Sequence, residues 1–426
     1  MGSLFRRSSG TAVLGSVLAL SAALVGAGTS AAEPPLLSPP VLSPLLPAPP
    51  SADAIFPVAD PDPFYIQPSD VADHAPGDVL KIRQMPPSYY FPGSAMWELL
   101  FRTTDSEGRP IAANTTYVLP ANHVPDGPLV SYQHIINSLG NKCKIANELY
   151  TDDPLHQIRE AAGLNIALAR GWAVALPDHL GPRMAYGAAK LGGQITLDGI
   201  RAVQRVPELQ VQNSKVGLGG YSGGGMATAW AAALAPTYAP ELNIVGAAEG
   251  GTPMNLVKMA EALGTNPHPA FGLAMAAALG LEREYPDRID VTDQLNDEGR
   301  IMKQMIGNGC TNEIMLFGLG HSASQMTDNK NFMDDPEAWK VMEENSLELY
   351  PGVPTAPIFE WHSPTDALIP VDSIDTTVKR YCDAGTPVQT LLTPTPDHLS
   401  AAALGLPQGL DWMDARFRGD PAPSTC

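Results

Sequence analysis

Positive charge is scarce in this chain. Only 26 lysines and arginines stand against 45 acidic residues, a formal net charge of −19 over 426 residues. Nucleic acid and anionic membrane surfaces both need basic patches, so neither fits as a partner. Neutral lipid remains open, including transient contact with a lipid interface. There are only four cysteines, Cys143, Cys310, Cys382 and Cys426, and neither Cys-x-x-Cys nor His-Glu-x-x-His occurs, so nothing supports a metal site. No internal repeat is visible, which sets solenoids aside. The apolar run at residues 12–25 is too short for a comfortable membrane span. Preceded by Arg6-Arg7 and followed by small residues through Ala31-Ala32, it reads as an export signal over residues 1–32. A single membrane anchor is the alternative, and the paired arginines also admit twin-arginine export. The protein is thus expected outside the cell, free or held at the cell wall. Four cysteines in an exported chain predict disulfides, and three complete pairings are open.

What is abundant points to a large, loop-rich globular chain: 44% hydrophobic residues, 42 prolines and 39 glycines. Residues 33–59 form a proline-rich leader, expected to be extended and without packing of its own. The folded part is expected at residues 60–426. Residues 95–104 and 111–119 read as two strands around the turn Asp105-Ser106-Glu107-Gly108, an antiparallel hairpin. Beyond it, short apolar strands at 128–132, 172–178, 216–218, 244–248, 356–361 and 388–392 alternate with helical stretches. That rhythm implies an α/β fold with a mostly parallel sheet flanked by helices, the hairpin at its edge. Between the strands at 244–248 and 356–361 lies a helical insertion, about residues 252–350. Its most apolar part, 269–281, contains Gly272 and Gly280, which suggest flexibility. A cap over an active site and an immobile helical subdomain account for it equally well.

The sharpest feature is Gly220-Tyr221-Ser222-Gly223-Gly224, a G-x-S-x-G with a strand before it and an alanine-rich helix after it. A serine held in such a strained turn needs neighbours without Cβ atoms so that strand and helix can approach. Its hydroxyl needs a base, and the base needs a carboxylate, in the chain order serine, acid, histidine. Of His268, His321, His362 and His398, only His398 follows the last strand, where a loop at the sheet end would deliver the base. Asp366 follows the strand at 356–361 and is the preferred acid. Asp372 and Asp375 look like helix-start residues, and Asp397 adjoins the histidine too closely. One oxyanion donor is expected at the amide of Gly223, the other in the loop 133–140. Side chains facing the substrate are expected at Tyr221 and, from the insertion, at Phe271, Leu273 and Met275.

Together these pieces resemble the secretory lipase family of fungi and actinobacteria. The matching text is Gly219-Gly220-Tyr221-Ser222-Gly223-Gly224-Gly225, residues 169–178, Thr365-Asp366-Ala367-Leu368-Ile369-Pro370 and Asp397-His398-Leu399-Ser400-Ala401. The resemblance spans residue 60 to the C-terminus. It implies an α/β-hydrolase fold with a helical lid, cofactor-free cleavage of acyl esters or lipids, and the triad Ser222, Asp366 and His398. It also implies the pairs Cys143–Cys310 and, for the remainder, Cys382–Cys426. Two departures stand out. Asn137 or a close neighbour takes the place of a family oxyanion aspartate, and Lys144-Ile145-Ala146 follows Cys143 where the family has Ala-Pro-Ser. A secreted triacylglycerol lipase or carboxylesterase is therefore expected. A peptidase or polymer esterase on the same fold is the alternative, and a non-catalytic binding protein a more distant one.

Overall fold

The computed structural model describes residues 51–151, 154–329 and 335–426. The export signal and most of the proline-rich leader lie outside these residues. Residues 51–59, read from the sequence as the end of that leader, are tied to the body. Val58 N–H donates to Asn308 Oδ1 at 2.7 Å, and the Ile55 carbonyl accepts from Arg283 Nε at 2.9 Å. Polar backbone that finds partners on the body is ordered despite its proline-rich context.

Among the described residues nine strands form one sheet: β1 (Val79–Met85), β2 (Ser94–Thr104), β3 (Pro110–Pro120), β4 (Leu129–Gln133), β5 (Ala173–Pro177), β6 (Val216–Tyr221), β7 (Ile244–Gly250), β8 (Ile358–His362) and β9 (Val388–Leu392). Their order is β1-β2-β3-β5-β4-β6-β7-β8-β9. Pairings β1–β2, β2–β3 and β3–β5 are antiparallel and the others parallel. The hairpin is therefore not the edge. Strand β1, whose lysine, arginine and glutamine mask any alternation, lies outside it. The chain runs from β4 to β5 on one side and returns to β6 on the other. This reversal opens a crevice at the carboxyl ends of β4 and β6, the usual ligand position in such sheets.

The described helices are α1 (Ile145–Glu148), α2 (Pro154–Ala169), α3 (Ala189–Gln204), α4 (Gly223–Tyr238), α5 (Leu256–Gly264), α6 (Phe271–Glu284), α7 (Asp297–Ile306), α8 (Thr311–Gly318), α9 (Ala323–Met326), α10 (Pro336–Glu344), α11 (Val371–Asp383) and α12 (His398–Arg418). One face of the sheet packs on α3, α4 and α11 through Phe101, Leu197, Trp230, Ile374 and Tyr381. The other packs on α2 and α12 through Leu164, Trp172, Phe359, Trp412 and Phe417. Both faces of the parallel part are thus covered, and its strands are accordingly apolar runs.

Helices α5 to α10 make up the insertion between β7 and β8. Gly272 and Gly280 are not hinges within it. A Cβ on Gly272 would strike the Ile314 carbonyl of α8, and one on Gly280 the backbone of Tyr186. Both glycines permit close packing. Disulfides join Cys143 to Cys310 and Cys382 to Cys426. Among the described residues no helix is long and apolar enough to cross a membrane, and no cluster could hold a metal ion.

Candidate active site

Strand β6 ends at Tyr221, and Ser222 follows at φ 54°, ψ −122°, a left-handed conformation that side chains rarely adopt. The surroundings impose it. Ser222 N–H donates to the Gly250 carbonyl at 2.8 Å, and its own carbonyl accepts from Met226 N–H at 2.8 Å as α4 begins. Two glycines of the motif have steric reasons. A Cβ on Gly220 would lie 2.5 Å from Thr228 Oγ1, and one on Gly224 would strike the Gln133 carbonyl of β4. The serine therefore caps a 16-residue helix whose first amides, beginning with that of Gly223, have no partner within the helix.

The histidine arrives from the opposite side. His398 opens α12, after β9, and Tyr221 from the serine turn fixes it. The Tyr221 hydroxyl donates to the His398 carbonyl at 2.6 Å, and the two rings lie 5.0 Å apart. Burial, with the nearby Asp366 charge, keeps that hydroxyl protonated. A Cβ on Gly251 would lie 2.8 Å from His398 Cε1, so the histidine borders the same Gly250-Gly251 step that binds Ser222. Tyr221 was expected to face the substrate. It does not line the cavity described below; it packs under the imidazole with Trp361.

Asp366 comes from the loop after β8. Its Oδ1 accepts from Leu368 N–H at 2.9 Å and Ile369 N–H at 3.0 Å, and its Oδ2 accepts from His398 Nδ1–H at 2.6 Å. Burial pushes this carboxyl up, but the histidine and the two amides outweigh it and hold it below the usual carboxylate range. With Nδ1 donating, Nε2 is the basic nitrogen. It is buried, and among the described residues it has no hydrogen-bond partner, Ser222 included. Such contacts often tighten only with substrate in place.

The competitors have other work. Asp372 is exposed and pairs with Lys258 at 2.6 Å, and Asp397 caps α12 through Ser400 N–H at 2.8 Å. His362 is bound through Nδ1 to Glu360 at 2.8 Å, and the amide of His268 donates to the His321 carbonyl at 3.0 Å within the insertion. No bond links Asp375 to His398. Glu360 stands beside Glu249 on the neighbouring strand, and both are buried. Burial, reinforced by Glu360, holds the Glu249 carboxyl well above its ordinary range. Sequence reading missed this acidic pair because a single acid in each of two strands far apart in the chain carries no motif.

Asn137 lies in the loop after β4 at φ 33° and is 7% exposed. A Cβ on Gly223 would strike its side-chain Oδ1, so the two expected oxyanion residues adjoin. That oxygen has no partner among the described residues; turning the amide over would present its N–H2 to the same space. From Gly223 and Met226 an apolar cavity of about 150 Å³ runs into the insertion between α5, α6 and α10. Phe271, Leu273 and Met275 line it, joined by Leu256, Trp339 and Met342. The last three were not anticipated, because a helical apolar stripe reads equally as core.

Residues 156–425 match the secretory lipase family. Lipase 6 of Candida albicans is 32% identical over 389 residues, covering 86% of this chain and 83% of its own. A protein of Mycobacterium tuberculosis described as a probable inactive lipase is 32% identical over 379 residues, covering 84% and 82%. Among solved structures, Candida antarctica lipase A in its closed state superposes with a TM-score of 0.79 at 29% identity, covering 86% of this chain and 89% of that one. The shared architecture is the α/β-hydrolase fold.

Proposed function

The chain belongs to the secretory lipase family, and on that premise we propose that it cleaves carboxylic esters of long acyl chains, triacylglycerols foremost, with Ser222, His398 and Asp366 as catalytic triad. It is an ester hydrolase of the lipase kind. One relative is described as inactive, so the intact serine, histidine and aspartate matter more here than family membership alone. The observation that carries the reading is the 2.6 Å bond from Asp366 to His398, beside a left-handed serine whose helix opens onto an apolar cavity.

In this reading Ser222 Oγ attacks the ester carbonyl while its proton passes to His398 Nε2. Asp366 accepts from Nδ1–H throughout and stabilises the imidazolium. The oxyanion forms against the Gly223 amide and Asn137. Collapse breaks the ester bond, and the departing alcohol takes the proton from Nε2, leaving the acyl group on Ser222. Water then loses a proton to Nε2 and attacks the acyl-enzyme, and the fatty acid leaves as Ser222 recovers its proton. The cavity holds the acyl chain; its lining offers dispersion contacts and few polar partners, which favours hydrocarbon over peptide. The family name and the signal-like residues 1–32 support export of the enzyme with removal of that signal.

The test is hydrolysis of p-nitrophenyl esters from acetate to palmitate, of emulsified triglyceride and of a peptide p-nitroanilide. Each substrate is run with the native protein and with Ser222→Ala. Ester turnover that favours the longer chains and vanishes in the variant is expected. Preferred cleavage of the anilide, or full ester turnover by Ser222→Ala, would sink the proposal.

A further inference from the structure

Asn137 poses a physical question. A non-glycine residue at φ 33° is strained and persists only where its surroundings over-determine it. Part of what holds it lies within the loop, where Ser138 Oγ donates to the Ile136 carbonyl, and the rest comes from the insertion. Thr311, the first residue of α8, points its Oγ1 at the Ile136 carbonyl at 3.0 Å and lies 3.5 Å from that of Asn137. Leu139 N–H donates to the Gly309 carbonyl at 3.0 Å. The Leu139 carbonyl accepts from Arg283 Nη1 at 2.7 Å. The next turn is closed by the Cys143–Cys310 disulfide.

Arg283 is unusual in itself. It lies on α6 and is 2% exposed. Its fork donates to backbone carbonyls: Ile55 at 2.9 Å, Leu139 and Gly307 at 2.7 Å each, Met184 at 3.2 Å and Arg183 at 3.3 Å. Burial lowers its basicity to about 10. A desolvated guanidinium that satisfies carbonyls from several separate segments fixes those segments against one another.

We propose that Thr311 and Arg283 are positioning residues of the oxyanion hole. On this side the insertion is part of the catalytic frame, and it forces Asn137 against Gly223. This rests on the reading of Asn137 as an oxyanion donor. If the frame loosens, Asn137 relaxes toward ordinary φ and its amide leaves the Gly223 side. The ground-state substrate loses little, and the transition state loses a donor.

The experiment measures kcat and KM on p-nitrophenyl butyrate, with melting temperature, for the full-length protein. The variants are Thr311→Val, Thr311→Ser, Asn137→Gly, the double variant Thr311→Val/Asn137→Gly, and Arg283→Lys. Losing a donor typically costs roughly 10²–10³ in kcat. Asn137→Gly is expected to show that loss. Thr311→Val should lose about ten-fold in kcat with KM nearly unchanged, and Thr311→Ser should restore it. In the Asn137→Gly background Thr311→Val should cost nothing further. Arg283→Lys, if it folds, should lower kcat as Thr311→Val does; the threonine series decides if it does not. Full kcat in Asn137→Gly would overturn the donor reading itself. A depressed Asn137→Gly together with an inert Thr311→Val, or with additive losses in the double variant, would overturn the positioning role alone.

Discussion

At the scale of single residues, the site selects one of three carboxyls that lie close together in sequence. Asp366, Asp372 and Asp375 lie within ten positions of each other. Only Asp366 accepts from His398, and two backbone amides hold it in place. Asp366→Asn is expected to keep the fold and to lower kcat by roughly 10⁴-fold, because an amide stabilises the wrong imidazole tautomer. Steady-state kinetics beside Asp372→Asn, expected to be near native, checks this. A second prediction concerns Glu249. Burial, and then Glu360, raise its carboxyl above the unfolded value. The folded state therefore holds that proton more tightly than the unfolded chain does. The resulting stability is complete below the unfolded pKa and is lost as pH rises toward the folded one. Glu249→Gln should leave Tm unchanged in acid and raise it by roughly a few degrees at neutral and alkaline pH. Calorimetry from pH 4 to 9 reads this directly, and a lowered Tm at every pH would show that the carboxyl has a partner that glutamine cannot replace.

At the scale of elements, α6 carries the clearest test of the insertion. Leu273 lines the cavity that begins at Gly223, yet it also belongs to the main hydrophobic core. Leu273→Glu is expected to reduce palmitate ester turnover at least ten-fold more than acetate ester turnover. Equal losses on both, with a lowered Tm, would make the helix core alone. Much of this arrangement is legible in the sequence. Ser222 could be placed because β6 and α4 flank it within a few residues. Asp366 and His398 followed from chain order at successive strand ends. Where the signal is nonlocal, the sequence is silent. Edge strand β1 has Lys81, Arg83 and Gln84 on it and no alternation to read, so only its pairing with β2 reveals it. Tyr221 sits beside the serine in sequence, but the pleat turns its ring under His398. Gly272 and Gly280 looked like flexibility, because the carbonyls they press against come from distant chain segments.

At the scale of the whole molecule, the two disulfides are expected to act differently on stability and on catalysis. Cys143–Cys310 closes 167 residues and Cys382–Cys426 closes 44. Chain entropy alone assigns about 5 and about 4 kcal/mol to loops of these lengths, a difference too small to separate them by Tm. Their positions do separate them. Cys382–Cys426 pins the C-terminal tail beside β9, where Thr425 N–H donates to the Val388 carbonyl at 2.8 Å. Cys143–Cys310 pins the insertion to the Asn137 loop. Replacing Cys382 and Cys426 by serine should lower Tm and leave kcat near native at a temperature where the variant is folded. Replacing Cys143 and Cys310 by serine should lower both. Equal kcat in the two folded variants would detach the insertion from the chemistry.

The central claim is that Ser222 carries the acyl group. A fluorophosphonate probe, followed by intact-mass measurement and peptide mapping, tests it most directly. One adduct per chain on Ser222 is the predicted result, with none in Ser222→Ala and slowed labelling in Asp366→Asn. Labelling of another residue, or ester hydrolysis that survives complete modification of Ser222, would contradict the account.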